Sequence, residues 1–124
     1  MTKKPIGGDS AQGLPFSKAM RAGDFIFVSG QVAFDEKGQL VEGGIEQQTR
    51  QTMRNIEAVL KMANATLADV VKVNIWLDDA RDFGRFNATY AEFFPTDAPA
   101  RSTVESKLMI DAKIEVDCVA YKPE

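Results

Sequence analysis

The stretch Val70–Leu77, with the sequence VVKVNIWL, decides the fold class because it lies between two segments of helical periodicity. Its β-branched residues and alternating polarity predict a β-strand. One face is predicted to be apolar and buried, whereas the other carries two polar groups and a tryptophan, a pattern typical of a strand that faces a partner or a pocket. The buried face would hold Val71, Val73, Ile75 and Leu77, and the other face Val70, Lys72, Asn74 and Trp76.

The segments on either side predict two helices with apolar stripes. Residues 45–63 repeat apolar or small side chains at three- and four-residue steps, and Asn64 is suited to a left-handed C-cap. Residues 80–94 repeat aromatic side chains at the same spacing, and Pro95 ends this helix. We interpret both stripes as core packing rather than as ligand-binding surfaces. The stripes consist of Ile45, Thr49, Thr52, Met53, Ile56, Val59, Leu60 and Ala63, and of Phe83, Phe86, Tyr90, Phe93 and Phe94.

Short strands are predicted before and after the helices. Residues 14–20 and 25–29 form a hairpin around the turn at residues 22–24, with the second strand buried, and residues 32–34 continue it briefly. Gly30 interrupts the second strand, which indicates either a bulge or close backbone approach at a pocket wall, or a simple kink. The closing strands are predicted at residues 101–105 and 113–121, the latter burying Ile114, Val116, Cys118 and Ala120.

The resulting element order, β-β-(β)-α-β-α-β-β, predicts an α+β fold with both helices on one face of the sheet. Its 124 residues suggest one domain, in which the polar, glycine-rich residues 1–12 are expected to be flexible. The uncovered face would carry Trp76 together with Phe16 or Met20. Because a half-apolar face of that size seldom stays in water, we expect self-association, most simply as a closed symmetric ring.

Composition excludes several classes of function. The net charge of −3 and pI of about 5.0 argue against a nucleic-acid binder. The absence of histidine excludes Ser-His-Asp and Cys-His catalysis, and the single cysteine, Cys118, excludes an internal disulfide and a thiolate zinc cage. With neither a long apolar run nor a secretory signal, we expect a cytoplasmic protein that has no membrane partner.

The segment Pro99–Thr103 holds the strongest candidate binding residue. Arg101 stands between small residues at the predicted start of a strand, and its planar fork of donors fits a carboxylate in two-point contact. A small anionic substrate is one interpretation, and a structural ion pair with one of the acids of the chain is the other. Composition leaves both open. Asp78, Asp79 and Asp82 are interpreted as helix-entry acids rather than as a metal site.

The motifs of the chain, taken in order, resemble the Rid family (YjgF-like proteins), reactive-intermediate deaminases that hydrolyse enamines and imines. They span roughly residues 14–120. The matching pieces are Pro15–Ala19, Val28–Gln31, Asn55, Asp69–Lys72, Phe83, Phe86–Tyr90, Phe93–Phe94, Pro99–Ser102 and Ile114–Val116.

The resemblance implies a chorismate-mutase-like α+β fold, assembled as a homotrimer with sites in the clefts between subunits. It implies that Arg101 binds the carboxylate of a 2-aminoacrylate-like enamine and that Glu115 orients or activates the attacking water, with no metal or other cofactor. The substrate-binding set that it implies is Phe16, Ser29, Gly30, Asn87, Arg101 and Thr103.

Two departures from the family pattern keep alternatives open. The usual Gly-Pro-Tyr is Leu14-Pro15-Phe16, which removes a hydroxyl, and a frequent cysteine after Arg-Ser is Thr103. A non-catalytic trimer that binds keto acids is therefore one alternative to the deaminase, since a fold does not fix a function. An RNA-directed or chaperone activity is another, against which the acidic pI counts.

Overall fold

A computed structural model of the protein describes residues 2–7 and 13–124, which form six strands and two helices. Short 3-10 turns precede the fourth strand and the second helix. The elements are β1 (Lys4–Ile6), β2 (Ala19–Ala22), β3 (Phe25–Gln31), α1 (Ile45–Met62), β4 (Val70–Leu77), α2 (Phe83–Ala91), β5 (Ala100–Glu105) and β6 (Ile114–Tyr121).

All six strands belong to one mixed sheet in the order β1-β2-β3-β6-β4-β5. The β4–β5 pair is parallel because α2 crosses between them, and the other pairs are antiparallel. Both helices cover the same face of this sheet, which confirms the predicted α+β class. β5 is an edge strand, and β6 lies in the interior of the sheet between β3 and β4.

The core lies between the helices and the sheet and follows the strand alternation. On β6, Ile114, Val116, Cys118 and Ala120 are buried, as predicted. Cys118 is therefore a core residue, and burial raises the pKa of its thiol to about 12. The sheet surface turned away from the helices, called the open face below, carries Met20, Phe25, Phe27, Trp76, Val104, Glu115, Asp117, Val119 and Tyr121.

The predicted faces of β4 are correct except at its start. Val70 is 6% exposed and Val71 is 44% exposed, the reverse of the prediction. The pairing of β4 with β6 shifts register between Val70 and Lys72. A bulge inserts one residue into the ladder and so reverses the faces on one side of it, which a strict two-residue alternation does not anticipate.

The N-terminal strands differ from the prediction more than the others. The predicted strand at residues 14–20 begins only at Ala19, because residues 13–18 form turns and bends. Residues 32–34 form no strand, and Phe34 makes an isolated bridge to Leu40. β3 is not buried as a whole, since Phe25 and Phe27 lie on the open face.

β1 is a strand that was not predicted, and it falls inside the segment interpreted as a flexible lead-in. Lys4–Ile6 pairs antiparallel with β2 at the edge of the sheet. A strand of three residues with a proline at its centre gives no recognisable alternation in the sequence, although edge strands tolerate proline. Residue 1 and residues 8–12 of that lead-in lie outside the described residues.

Both helices are confirmed, with shorter ends than predicted. α1 ends at Met62, and Asn64 adopts the left-handed conformation with φ of 59°. α2 begins only at Phe83, because Asp79 accepts the Arg81 N–H and holds residues 80–82 in a 3-10 turn. Within its aromatic stripe, Phe83 is 43% exposed and so departs from the predicted core role.

Candidate functional site

Arg101 lies on the helix-covered side of the sheet edge, against the aromatic stripe of α2. Its pairing with Val73, a core residue, sets the side of β5 from which the side chain projects. The guanidinium carbon Cζ lies 5.1 Å from the ring centroid of Tyr90, 5.4 Å from that of Phe86 and 5.8 Å from that of Phe83. The negative faces of aromatic rings attract a cation, so the stripe orients Arg101 without neutralising it.

Arg101 has no carboxylate partner among residues 2–7 and 13–124. Other arginines of the chain do: Arg50 is paired with Glu92 at 3.1 Å and Arg81 with Asp79 at 2.8 Å. No hydrogen bond from the Arg101 guanidinium is formed within the described chain either. Among the described residues, the ion-pair interpretation of Arg101 is therefore not supported, and no side chain there occupies the guanidinium donors, which suits an anionic ligand.

Thr103 and Asn87 lie on the same side as Arg101. Thr103 follows Arg101 by two residues and therefore projects from the same side of β5. Its hydroxyl is buried and has no hydrogen-bond partner in the described chain, and it lines a cavity of about 270 Å³ with Phe83. Asn87 is half-buried one helical turn after Phe83. We call Arg101, Thr103, Asn87 and the ring of Phe83 the arginine half-site.

Glu115 lies on the open face, where its strand neighbour is Trp76. Burial raises the pKa of its carboxyl above the ordinary range, and the negative charge of Asp117 raises it further. Asp117 is itself held by Asn74, whose Nδ2 donates to Oδ1 at 2.9 Å. A carboxyl with a raised pKa accepts a proton more readily than an exposed one, which suits an acid–base role.

Gly30 provides the space that the Glu115 carboxylate occupies. The β3–β6 pairing shifts register between Val28 and Gln31, and so the predicted bulge is present. A Cβ on Gly30 would lie 3.0 Å from Glu115 Cδ and would overlap Oε2. The close backbone approach predicted for Gly30 is thus confirmed, and its partner is Glu115.

The pocket beside Glu115 has a volume of about 440 Å³. It brings together Phe16, Ser29 and Gly30, three of the residues expected to bind substrate. The hydroxyl of Ser29 donates to Ser17 O at 2.6 Å, which fixes the segment that carries Phe16. We call this pocket the glutamate half-site; its lining is Phe16, Ser29, Gly30, Val32, Met109, Ile110 and Glu115.

Met109 and Ile110 line the glutamate half-site although neither was predicted to be a site residue. They lie in the loop between β5 and β6, and Met109 is 92% exposed although it is apolar. The loop has no periodicity that predicts a pocket wall. Three consecutive apolar residues, Leu108, Met109 and Ile110, in a predicted connection were the one available signal.

The two half-sites lie on opposite faces of the sheet. Glu115, Trp76 and Val104 stand in one row across three strands, and Arg101 precedes Val104 by three residues. Because side chains alternate along a strand, an odd separation places Arg101 on the face opposite to Val104 and Glu115. Within the plane of the sheet, Arg101 and Glu115 are also separated by two strand spacings of ~4.8 Å and by three residues of ~3.3 Å each. One chain therefore does not bring Arg101 and Glu115 to a common substrate.

Metal chemistry has no candidate ligand set in the part of the chain that the structure describes. There, no group of three or more histidine, cysteine, aspartate or glutamate side chains is close enough to hold a metal ion. Asp79, one of the helix-entry acids, instead accepts hydrogen bonds from Arg81, which lower the pKa of its carboxyl to about 2. No described helix is long and apolar enough to cross a membrane.

Comparisons with known proteins give one consistent result. The family model described as endoribonuclease L-PSP matches residues 10–122. The chain is 46% identical over 121 residues to a RutC family protein of Pyrococcus horikoshii, covering 96% of this chain and 90% of that protein. It is 40% identical over 108 residues to the chloroplastic Reactive Intermediate Deaminase A of Arabidopsis thaliana, covering 86% of this chain and 58% of that protein.

The fold comparison agrees with the sequence comparison. A crystal structure of a Rid-family protein from Yersinia pestis superimposes with a TM-score of 0.89 at 36% identity, covering 97% of this chain and 99% of that one. The relatives include an organellar protein, and so the cytoplasmic location expected from the sequence stays a prediction.

Proposed function

The chain belongs to the Rid (YjgF/RutC) family, and we propose that it hydrolyses small enamines and imines bearing a carboxylate to 2-keto acids and ammonia. The observation that carries this proposal is the state of Arg101, a cation held by three aromatic rings and left without an anionic partner in the described chain. A substrate carboxylate accepting two parallel hydrogen bonds would complete it.

Glu115 supplies the proton transfer in this mechanism. The enamine first tautomerises to an imine, and water then adds its oxygen to the imine carbon while Glu115 accepts a proton from that water. That proton passes to nitrogen and gives a carbinolamine. Glu115 then takes the proton of the carbinolamine hydroxyl and returns it to the nitrogen as the carbon–nitrogen bond breaks, so that ammonia leaves and a carbonyl remains. Because the substrate is already reactive, positioning and one proton-transfer group suffice, and no metal or other cofactor takes part.

We further propose that the working site forms between copies of this chain, in a homotrimer. Arg101 and Glu115 lie on opposite faces of one sheet, so a common substrate requires the arginine half-site of one subunit and the glutamate half-site of another. The open face supports this arrangement, since it exposes Phe25, Phe27 and Tyr121 on the same side of the sheet as Glu115. Apolar area of this kind favours burial against another copy.

The activity is tested with an enamine made in situ by a pyridoxal-phosphate-dependent lyase. The protein should accelerate the release of ammonia and keto acid over the spontaneous rate, and Arg101→Ala should lower that acceleration by about 100-fold or more while the enamine is kept below KM. Arg85→Ala, which removes an exposed guanidinium on α2, is the matched control and should keep it. No acceleration with imines from several amino acids would refute the proposal.

The shared site is tested by mixing two impaired variants, Arg101→Ala and Glu115→Gln, with the enamine kept below KM. After subunit exchange, a contact that joins an intact Arg101 to an intact Glu115 arises in about a quarter of the interfaces of a ring. Mixed protein should therefore regain activity that neither variant has alone. If mixing restores nothing although mass spectrometry detects mixed oligomers, then the site is not shared between subunits.

One observation favours binding without turnover as a second candidate. Phe16 lines the glutamate half-site with a bare ring, so no hydroxyl from this position can hold the attacking water. Calorimetric titration with a keto acid that requires Arg101, together with no acceleration in the lyase assay, would favour this function.

Cleavage of RNA, which the description of the family model names, is not proposed. The chain carries a net charge of −3 and no histidine, whereas binding to a phosphate backbone is dominated by basic side chains.

A further inference from the structure

We propose that three amide side chains on α1, Gln48, Gln51 and Asn55, are positioning residues that fix the two walls of the glutamate half-site. None of them lines that pocket. The first wall is the segment of residues 30–34, and the second is the β5–β6 loop, residues 106–113. Each of the three amides makes a hydrogen bond to one of these walls, and Gln51 also bonds to Asn55. The catalytic consequence rests on the proposed function, whereas the structural consequence can be measured without it.

Asn55 and Gln51 hold the first wall. Asn55 Nδ2 donates to Val32 O at 2.8 Å and to Phe34 O at 2.9 Å, so one amide group fixes two carbonyls of the segment after β3. Gln51 Nε2 donates to Asn55 Oδ1 at 3.0 Å and to Phe34 O at 3.3 Å. Val32 lines the pocket and follows Gly30 by two residues, so these bonds set the position of the wall that carries Gly30.

Gln48 holds the second wall. Its Oε1 accepts the backbone N–H of Lys113 at 2.9 Å. Lys113 lies between the pocket residues of the β5–β6 loop and Glu115, and its carbonyl accepts the Asp78 N–H at 3.0 Å. The Gln48 side chain is only 6% exposed although it is polar, which indicates that its carbonyl serves this contact rather than solvent.

The spacing of the row explains why one helix carries both contacts. Gln48 and Asn55 are seven residues apart, which is about two turns of an α-helix and places them on the same side. α1 is packed against the core along its length, so it offers one rigid reference for two separate loops. A site is held most accurately when its walls are tied to such an element.

Hydrogen exchange followed by mass spectrometry tests the structural part. Asn55→Leu should speed amide exchange in residues 30–34 and leave residues 106–113 unchanged, whereas Gln48→Met should do the reverse. Gln51→Leu should give a smaller change in residues 30–34. This variant keeps the test decisive if Asn55→Leu does not fold.

Gln47→Met is the matched control on the same helix. Gln47 Oε1 accepts the N–H of Gly44 at the start of α1, and Gln47 makes no hydrogen bond to either wall among the residues that the structure describes. It should leave exchange in both walls at the wild-type rate. Equal loosening of both walls by all variants, or no loosening in either wall, would overturn the proposal.

Turnover supplies the second readout, at a temperature well below unfolding. Misplacing a wall should reduce kcat/KM by about tenfold to a hundredfold, through KM for Asn55→Leu and through kcat for Gln48→Met. The crossed exchange pattern means that Asn55→Leu loosens only residues 30–34 and Gln48→Met only residues 106–113. If wild-type protein shows no turnover while this pattern is present, the proposed function fails and the positioning role stands. If turnover is present and the crossed pattern is absent, the positioning role fails alone.

Discussion

The arginine and glutamate half-sites keep a charge available to a ligand by different physical means. Arg101 sits at the sheet edge and is surrounded by ring faces, which attract the cation but supply no acceptor that would neutralise it. Glu115 sits in the interior of the sheet, where burial and the charge of Asp117 raise the pKa of its carboxyl. The first is suited to binding an anion, and the second to exchanging a proton.

The two half-sites should also differ in their sensitivity to substitutions. The arginine half-site is built from side chains, so its geometry depends on the packing of α2 against β5. The glutamate half-site depends on backbone, since Gly30 must leave room for the carboxylate and the loop carbonyls must face α1. Substitutions should therefore affect the two half-sites through different kinetic parameters.

The largest effect is expected at Arg101. Loss of two charge-assisted hydrogen bonds in Arg101→Ala should lower kcat/KM by about 100-fold or more, mostly through KM. Arg101→Lys keeps the charge but loses the fork, and it should recover only part of that loss. Steady-state rates of ammonia release measure both. Activity of Arg101→Ala within a fewfold of wild type would show that the carboxylate is bound elsewhere.

The next effect is expected at Gly30. Gly30→Ala places a methyl group where the Glu115 carboxylate lies, and so kcat should fall by about tenfold to a hundredfold. Gly84→Ala is the matched control, because a Cβ there meets nothing within 4 Å and alanine favours the helix. The control should keep activity and raise the melting temperature slightly. Equal activity in the two variants would separate Glu115 from catalysis.

A smaller effect is expected on the pH profile of kcat. Glu115 must be ionised to accept a proton, and since burial and Asp117 raise its pKa, the rate should fall with decreasing pH earlier than for an ordinary glutamate. Asp117→Asn removes the like charge and keeps an oxygen that can accept from Asn74. It should move the acid limb to lower pH. If Asp117→Asn leaves the acid limb of the kcat profile at the same pH, the titrating group is one other than Glu115.

Much of the fold was predictable because it rests on periodicity. The stripes of α1 and the alternation of β6 each follow from a repeated spacing, and both are confirmed. What failed depended on local backbone events. The bulge that exchanges Val70 and Val71, and the edge strand β1, carry no periodic signal.

For the candidate site too, individual residues were predictable from the sequence, whereas their contacts depend on strand register. The sequence pointed to Gly30 as a close approach, but only the register of β3 against β6 shows that Glu115 is the partner. It pointed to Arg101 and Glu115 together, whereas their faces follow from strand pairing with β4. Gln48 and Asn55 were invisible as positioning residues because their partners are backbone atoms distant in sequence.

The smallest effect is expected at Phe16, which tests how far the glutamate half-site is limited by its apolar wall. Phe16→Tyr adds a hydroxyl to the pocket beside Glu115, where it could donate to the attacking water or to the substrate. We expect kcat to rise by about two- to fivefold, the value of roughly one neutral hydrogen bond. Phe34→Tyr is the control: Phe34 belongs to the wall only through its hydrogen-bonded backbone carbonyl and lines the adjoining groove instead of the pocket itself, so the added hydroxyl should change nothing. If the two variants give the same rate, the missing hydroxyl does not limit turnover, and the difference between the half-sites then lies in the carboxylate alone.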